Sequence, residues 1–268
     1  MNRMSPETCE GSPADTDTSL EAVWYPSLNF EPRRKGLKPS ILVLHYTGLE
    51  TAERAMRWLC TPESRVSCHY LIDEAGRITQ MVREEFRAWH AGESCWEGET
   101  DINSASIGIE IHNPGHSEGY PEFPAVQMQA VEALALDIIA RHGVPARRVL
   151  AHSDVAPMRK RDPGEKFGWA RLARAGIGHW VEPAAIEGDP GLGLGDRGEA
   201  VARLQGQLAD YGYKIGTGGT FDAETRAVVT ALQRHFRPAL VNGRADSSTI
   251  RTLERLIATR AEWTCCRA

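Results

Sequence analysis

Between Ala151 and Gly164 the chain reads AHSDVAPMRKRDPG, and three of its side chains could share one task. His152 and Asp162 lie ten positions apart, with Lys160 between them. Pro157 and Pro163 forbid one continuous helix here, so the stretch is expected as a loop able to bring an imidazole and a carboxylate to one point. A further imidazole, His45, sits near the end of the apolar run Ile41 to Tyr46 (ILVLHY). Two imidazoles and one carboxylate form a borderline N/O donor set that suits Zn²⁺, and three protein ligands leave a fourth position for water. Each piece is weak alone. A histidine ending a strand is more often packed or surface-exposed than a ligand, and the His–Asp spacing is no stronger by itself.

These side chains need a frame to hold them. Ile41 to Tyr46 is a short apolar run, consistent with a buried strand. Ser106 to His112 (SIGIEIH) alternates, so Ile107, Ile109 and Ile111 face one side while Glu110 and His112 face the other. The pattern from Val126 to His142 predicts a helix, with Val131, Leu134, Ala135, Ile138 and Ile139 on one stripe and Gly143 as the stop. Strands mixed with helices predict an α/β unit with one central sheet. Residues 184–196 are rich in Gly, Pro and Asp, a linker composition. Three short amphipathic patterns follow. The first carries Val201, Leu204, Leu208 and Tyr211. The second carries Val228, Val229, Leu232 and Phe236 behind Asp222 as N-cap. The third starts near Asp246 or Ser247 and carries Ile250, Leu253 and Ile257. So small a bundle has a thin core and gains from packing against the larger unit.

A chain of 268 residues suits one medium unit plus one small one. With 41% apolar and 25% charged residues it is globular, not wholly disordered. A net charge of −5 argues against a dedicated nucleic-acid binder. No apolar run approaches a membrane-spanning length. Residues 1–20 are polar and expected as a disordered tail, as are 263–268. Met1 to Thr18 carries no apolar segment of signal-peptide type, and Cys9 does not follow one. The cysteines at 9, 60, 68, 95, 265 and 266 show no CxxC spacing, so reduced thiols and a cytoplasmic setting without a membrane anchor are expected, with the periplasm as the alternative.

Four separated pieces, in order, resemble the zinc-dependent N-acetylmuramoyl-L-alanine amidases of the AmpD type, the amidase_2 family. They are LVLHYTG from Leu42, SCHYLID from Ser67, AWHAG from Ala88 with SIGIEI from Ser106, and HSDVAPMRKRDPG from His152. The likeness runs from about residue 21 to 183 and is strongest to the AmiD-like branch, which also carries a C-terminal helical module. It implies an α/β fold with a mixed central sheet flanked by helices, as in peptidoglycan recognition proteins. Residues 197–262, with FDAETRAVVTALQRHF from Phe221, resemble a peptidoglycan-binding three-helix domain.

The resemblance implies roles. His45, His152 and Asp162 become zinc ligands. Glu110 becomes the catalytic carboxylate and Lys160 an electrophilic partner. Arg65, His69, Trp89, His90 and Asn103 become candidates for substrate contact, Arg65 for a peptide carboxylate. Asp101 is a departure, since AmpD-type enzymes can carry an arginine there. The implied substrates are muropeptides and anhydromuropeptides, cleaved between the muramic acid lactyl group and L-alanine during cell-wall recycling. Three other readings stay open: an extracytoplasmic murein amidase, a non-catalytic muropeptide-binding protein, and an unrelated metallohydrolase of small amides.

Overall fold

The computed structural model describes residues 16–259. The expected tail residues 1–15 and 263–268, with Cys9, Cys265 and Cys266, lie outside them. Residues 16–20 do not behave as a free tail. Thr18 Oγ1 donates to Asp137 at 2.8 Å, and Asp17 accepts from the Glu84 amide at 2.8 Å. Cys60, Cys68 and Cys95 are free thiols.

The strands are β1 (Ala22–Trp24), β2 (Phe30–Pro32), β3 (Ile41–Tyr46), β4 (Tyr70–Ile72), β5 (Ile78–Gln80), β6 (Phe86–Ala88), β7 (Ser106–Ile111) and β8 (Val149–Ala151). The helices are α1 (Ala52–Cys60), α2 (Ile102–Ala105), α3 (Ala125–His142), α4 (His152–Val155), α5 (Trp169–Arg174), α6 (Glu199–Tyr211), α7 (Ala223–Phe236) and α8 (Ser247–Thr259). Among the described residues the main sheet has the order β1-β5-β4-β7-β3-β8. It is mixed: β4 runs antiparallel to β5, and the other pairs are parallel. Strands β2 and β6 pair antiparallel beside it. No described helix is long and apolar enough to cross a membrane.

Period-two alternation in β3 and β7 decides what each face buries. Leu42, Leu44, Ile107, Ile109 and Ile111 pack with Val131, Leu134, Ala135 and Ile138 of α3. Ile41 and Val43 face the other way, into a cluster that contains Val201, Leu204, Leu208, Phe221, Val228, Leu232 and Leu253 of the helical region. The bundle therefore shares its core with the sheet. Burying these side chains together is worth roughly 1.5–3 kcal/mol each, which neither part recovers alone.

Two of the three C-terminal helices begin at side-chain caps, while α6 follows Gly198 and has none. Asp222 Oδ1 accepts from the Thr225 amide at 2.8 Å at the start of α7. Asp246 Oδ1 accepts from the Thr249 amide at 2.8 Å at the start of α8. The Gly/Pro-rich stretch 184–196 lies along the bundle rather than hanging free. Ala184 N–H donates to Thr252 at 3.0 Å, and Leu192 bridges Ala245.

Candidate metal centre and cleft

Three neighbouring strands deliver the site. In register, His45 of β3 stands beside Glu110 of β7, and Leu44 beside Ala151 of β8. The next residue after Ala151 is His152, at the start of α4. Glu110, His45 and His152 therefore emerge side by side at the C-terminal ends of parallel strands, where open α/β sheets place their ligands. The loop after α4 returns Asp162 to the same point. The Ser153 amide donates to the Asp162 carbonyl at 3.0 Å and holds the loop's end against α4.

His45, His152 and Asp162 are buried, and their ligand atoms converge. His45 Nδ1 lies 2.8 Å from His152 Nδ1, His152 Nδ1 lies 3.0 Å from Asp162 Oδ2, and His45 Nδ1 lies 3.3 Å from that oxygen. Donors of a tetrahedral zinc, each about 2.0–2.1 Å from the ion, stand about 3.3 Å apart. The triangle is close to that size.

The hydrogen-bond network assigns the tautomers. Ser106 Oγ donates to the Ile102 carbonyl at 2.5 Å, so it must accept from His90 Nε2 at 3.1 Å. His90 Nδ1 then accepts from His45 Nε2 at 3.0 Å. His152 Nε2 donates to the Ala91 carbonyl at 3.1 Å. Both Nδ1 atoms thus carry lone pairs, and both face a carboxylate. Three acceptors turned toward one another with no donor between them fit a cation, not a hydrogen-bonded core.

The electrostatics agree. Burial, reinforced by His152, lowers His45 to about 4. Burial also holds His90 well below the ordinary imidazole value. Burial would raise Asp162, but His152 and His45 outweigh it and hold the carboxyl below the usual range. Glu110 differs. Burial and the nearby Asp162 charge push its carboxyl well above the ordinary value, against the pull of Lys160. Its Oε2 is buried without a hydrogen-bond partner.

These groups open into a cleft of about 360 Å³. Glu110, Lys160, His152 and Asp162 line it, as do Trp89 and His90. Among the other side chains of the walls, which the sequence did not single out for this place, are Tyr46, Arg159 and Trp58. Trp58 is 51% exposed on amphipathic α1, an anomaly for so large an apolar ring.

The cleft does not collect every candidate. His69 is fully buried elsewhere: Nδ1 accepts from the Gly108 amide at 3.0 Å, and Nε2 donates to the Phe86 carbonyl at 3.1 Å. With both nitrogens engaged, it has none for a substrate. Asn103 is also buried, its Oδ1 accepting from the His90 and Ala91 amides at 3.1 and 2.8 Å. It fixes the AWHAG segment rather than a ligand. Arg65 is an exposed residue in the left-handed region, φ 53°, and does not line the cleft, although Val66 and Ser67 do. His90 touches the cleft but spends both nitrogens orienting His45. Asp101 caps α2 and pairs with Arg87 at 3.0 Å, which accounts for an acid at this position. Gly108 is required beside His90, because a Cβ there would stand 2.7 Å from its Nδ1.

The family model for N-acetylmuramoyl-L-alanine amidase matches residues 35–165, and that for a putative peptidoglycan binding domain matches 197–253. The chain is 37% identical over 264 residues to N-acetylmuramoyl-L-alanine amidase AmiD of Escherichia coli K12, spanning 92% of this chain and 88% of the relative. It is 34% identical over 169 residues to 1,6-anhydro-N-acetylmuramyl-L-alanine amidase AmpD of Citrobacter freundii, spanning 57% of this chain and 88% of that one. Among solved structures, E. coli AmiD in complex with anhydro-N-acetylmuramic acid-L-Ala-D-gamma-Glu-L-Lys superposes with TM-score 0.71 at 37% identity, covering 85% of this chain and 93% of the other. AmpDh3 of Pseudomonas aeruginosa gives TM-score 0.72 at 30% identity, covering 86% and 96%.

Proposed function

The chain belongs to the N-acetylmuramoyl-L-alanine amidase family, and from that premise we propose how its own residues carry out the reaction. It is an amidase that cleaves the bond between N-acetylmuramic or anhydro-N-acetylmuramic acid and L-alanine in peptidoglycan fragments. One observation carries the mechanism. Three acceptors with no donor between them lie beside a carboxyl whose Oε2 has no partner.

His45 and His152, through Nδ1, and Asp162, through Oδ2, would hold one Zn²⁺. When bound, zinc supplies Lewis acidity and lowers the pKa of water at its open position to about 7. Glu110 acts as general base and then general acid. Its raised proton affinity suits it to take a proton from the attacking water and to deliver it to the leaving amide nitrogen. Lys160, on the cleft wall, donates to the oxyanion of the tetrahedral intermediate, a contribution of roughly 3 kcal/mol per donor. Trp89 and Trp58 offer apolar rings for a sugar face or a peptide side chain. His90 orients His45 through its second nitrogen, the usual arrangement around a metal-bound imidazole.

The test is mass spectrometry of products from purified anhydromuropeptide and intact sacculi, with and without a chelator. We expect release of peptide beginning at L-Ala, lost with chelator and restored by zinc. Release that persists undiminished in His152→Ala overturns the mechanism. The helical region is read as a peptidoglycan-binding domain on its family match. Retention of the full chain by insoluble sacculi tests that. We further propose a cytoplasmic setting in cell-wall recycling, with the periplasm as the alternative. Recovery of the native protein in a periplasmic fraction overturns it.

A further inference from the structure

We propose that Tyr213 and His235, both in the helical region, are positioning residues for the metal ligand His152. This rests on the amidase reading above and goes beyond it: the helical region then serves catalysis as well as any wall contact.

The link is Asp154, two residues after His152 and 1% exposed. Its carboxylate accepts three hydrogen bonds. The Ala151 amide donates to Oδ2 at 2.8 Å. Tyr213 Oη donates to Oδ1 at 2.8 Å, and His235 Nδ1 donates to Oδ2 at 2.6 Å. Two of the three donors therefore come from the helical region. Helix α4 has only four residues, too few to hold its own geometry. What surrounds it must fix it. The same turn binds the other end of the site, since the Ser153 amide holds the Asp162 carbonyl at 3.0 Å. Two of the three ligands thus depend on where this turn sits.

Both donors are themselves immobilised. The His235 ring stacks on Trp169 and Phe236, each with centroids 3.7 Å away. The Tyr213 ring stands edge-on to Trp96 at 5.0 Å. A buried carboxylate that loses a donor must find another or move, and a metal site tolerates displacements of only about half an ångström.

The test compares Tyr213→Phe and His235→Phe in the full chain, singly and together. Each keeps an aromatic ring and loses the donor. Zinc affinity is read by chelator competition, kcat and KM on anhydromuropeptide, and Tm by thermal melting. We expect the double variant to bind zinc about tenfold to a hundredfold more weakly, the size of effect known for groups that orient ligands. Its kcat should fall while KM holds, and excess zinc should restore part of the loss. Tyr211→Phe is the control: its hydroxyl bonds His179 at 2.9 Å in the same interface, so zinc affinity should not change. Zinc affinity and kcat within twofold of the unsubstituted chain, with only Tm lowered, overturn the proposal and leave a packing role. If the double variant does not fold, Tyr213→Phe alone decides by the same criteria. If the unsubstituted chain binds zinc but cleaves nothing, the amidase reading fails while the zinc affinities still decide the positioning.

Discussion

Glu84 and Glu110 are two acids in one fold, the first buried and the second half-buried with its Oε2 out of solvent, and their surroundings are opposite. Both oxygens of Glu84 are filled. Tyr70 Oη donates at 2.7 Å, His142 Nε2 at 2.6 Å, and the Arg141 guanidinium reaches both oxygens. Burial would raise Glu84, yet these partners outweigh it and lower the carboxyl to about 2. Glu110 keeps an oxygen with no partner, and burial together with Asp162 raises it. The first acid fastens α3 to the loop after β5. The second is left with a strong affinity for a proton. The metal triangle follows the second pattern, with acceptors facing acceptors. Where the fold needs only strength it completes its hydrogen bonds; where it needs chemistry it leaves them open, at a cost in stability.

The largest effect should come from removing a corner of the triangle. His152→Ala is expected to lower kcat by about a thousandfold or more, several kcal/mol of lost transition-state stabilisation. It should also abolish the thermal shift on zinc addition. For the unsubstituted chain at about 1,000 times the dissociation constant, that stabilisation is about 4 kcal/mol. Calorimetry of chelator-stripped protein, titrated with zinc, measures both chains. Equal shifts would mean that the triangle is not the binding site.

Glu110→Gln sharpens the contrast because its two effects should have opposite sign. Activity should fall by about 10²–10⁴. Metal-free stability should rise by a few degrees in Tm. The sign follows from the raised carboxyl. Relative to the unfolded chain, near the ordinary 4.5, the folded state disfavours the ionised form. That contribution favours the fold below 4.5 and is lost as pH rises through the higher folded value. Gln removes the loss, so the gap between the two melting curves should open above pH 4.5. A variant that is both inactive and less stable would show that Glu110 holds the fold instead.

Glu84→Gln is the mirror case. Activity per folded molecule should be unchanged. Stability at neutral pH should fall by about 2–3 kcal/mol, because Arg141 and His142 lose their charged partner. The lowered carboxyl contributes stability above the ordinary 4.5 that disappears as pH falls toward about 2. The unsubstituted chain and the variant should therefore converge in acid. Urea unfolding at pH 7 and at pH 3 reads the difference, and parallel losses at both would break the comparison.

How much of this was legible beforehand follows from the range of each interaction. The alternation of Ser106–His112 and the stripe of Ala125–His142 are local periods, so β7, α3 and the side of the strand bearing Glu110 could be read directly. The helices after residue 197 announced themselves through Asp222 and the apolar spacing. The convergence of His45, His152 and Asp162 is legible only through the motif likeness, because their spacing alone fits packed histidines as well. Partners distant in sequence were not legible. Nothing local tells His69 that it will be spent on Gly108, or Asn103 that it will hold His90 and Ala91. Asp154 meets His235 across 81 positions, and the two units share a core that neither pattern reveals. Trp58 carried a readable signal, an exposed indole on an otherwise polar helix face, and only its place beside the cleft needed the fold.

The smallest effect tests whether the open pattern itself depends on a closed one. His45 presents its lone pair inward only because a chain of donors runs outward behind it, through His90 to Ser106 and on to the Ile102 carbonyl. Ser106→Ala removes the acceptor that fixes the His90 proton on Nε2. His90 can then carry its proton on Nδ1 instead, which turns it from acceptor to donor toward His45 and favours a His45 proton on the metal side. Zinc must drive the pair back to the tautomers with both protons on Nε2, so its affinity should weaken by about threefold to tenfold, at the lower edge of effects for orienting groups. The two protons only change nitrogens, with none taken up or released, so the weakening should be equal at pH 6 and pH 8. Chelator competition at the two pH values measures it. An affinity unchanged at both would mean that His45 is oriented by packing alone, and that the tautomer relay contributes nothing to the triangle.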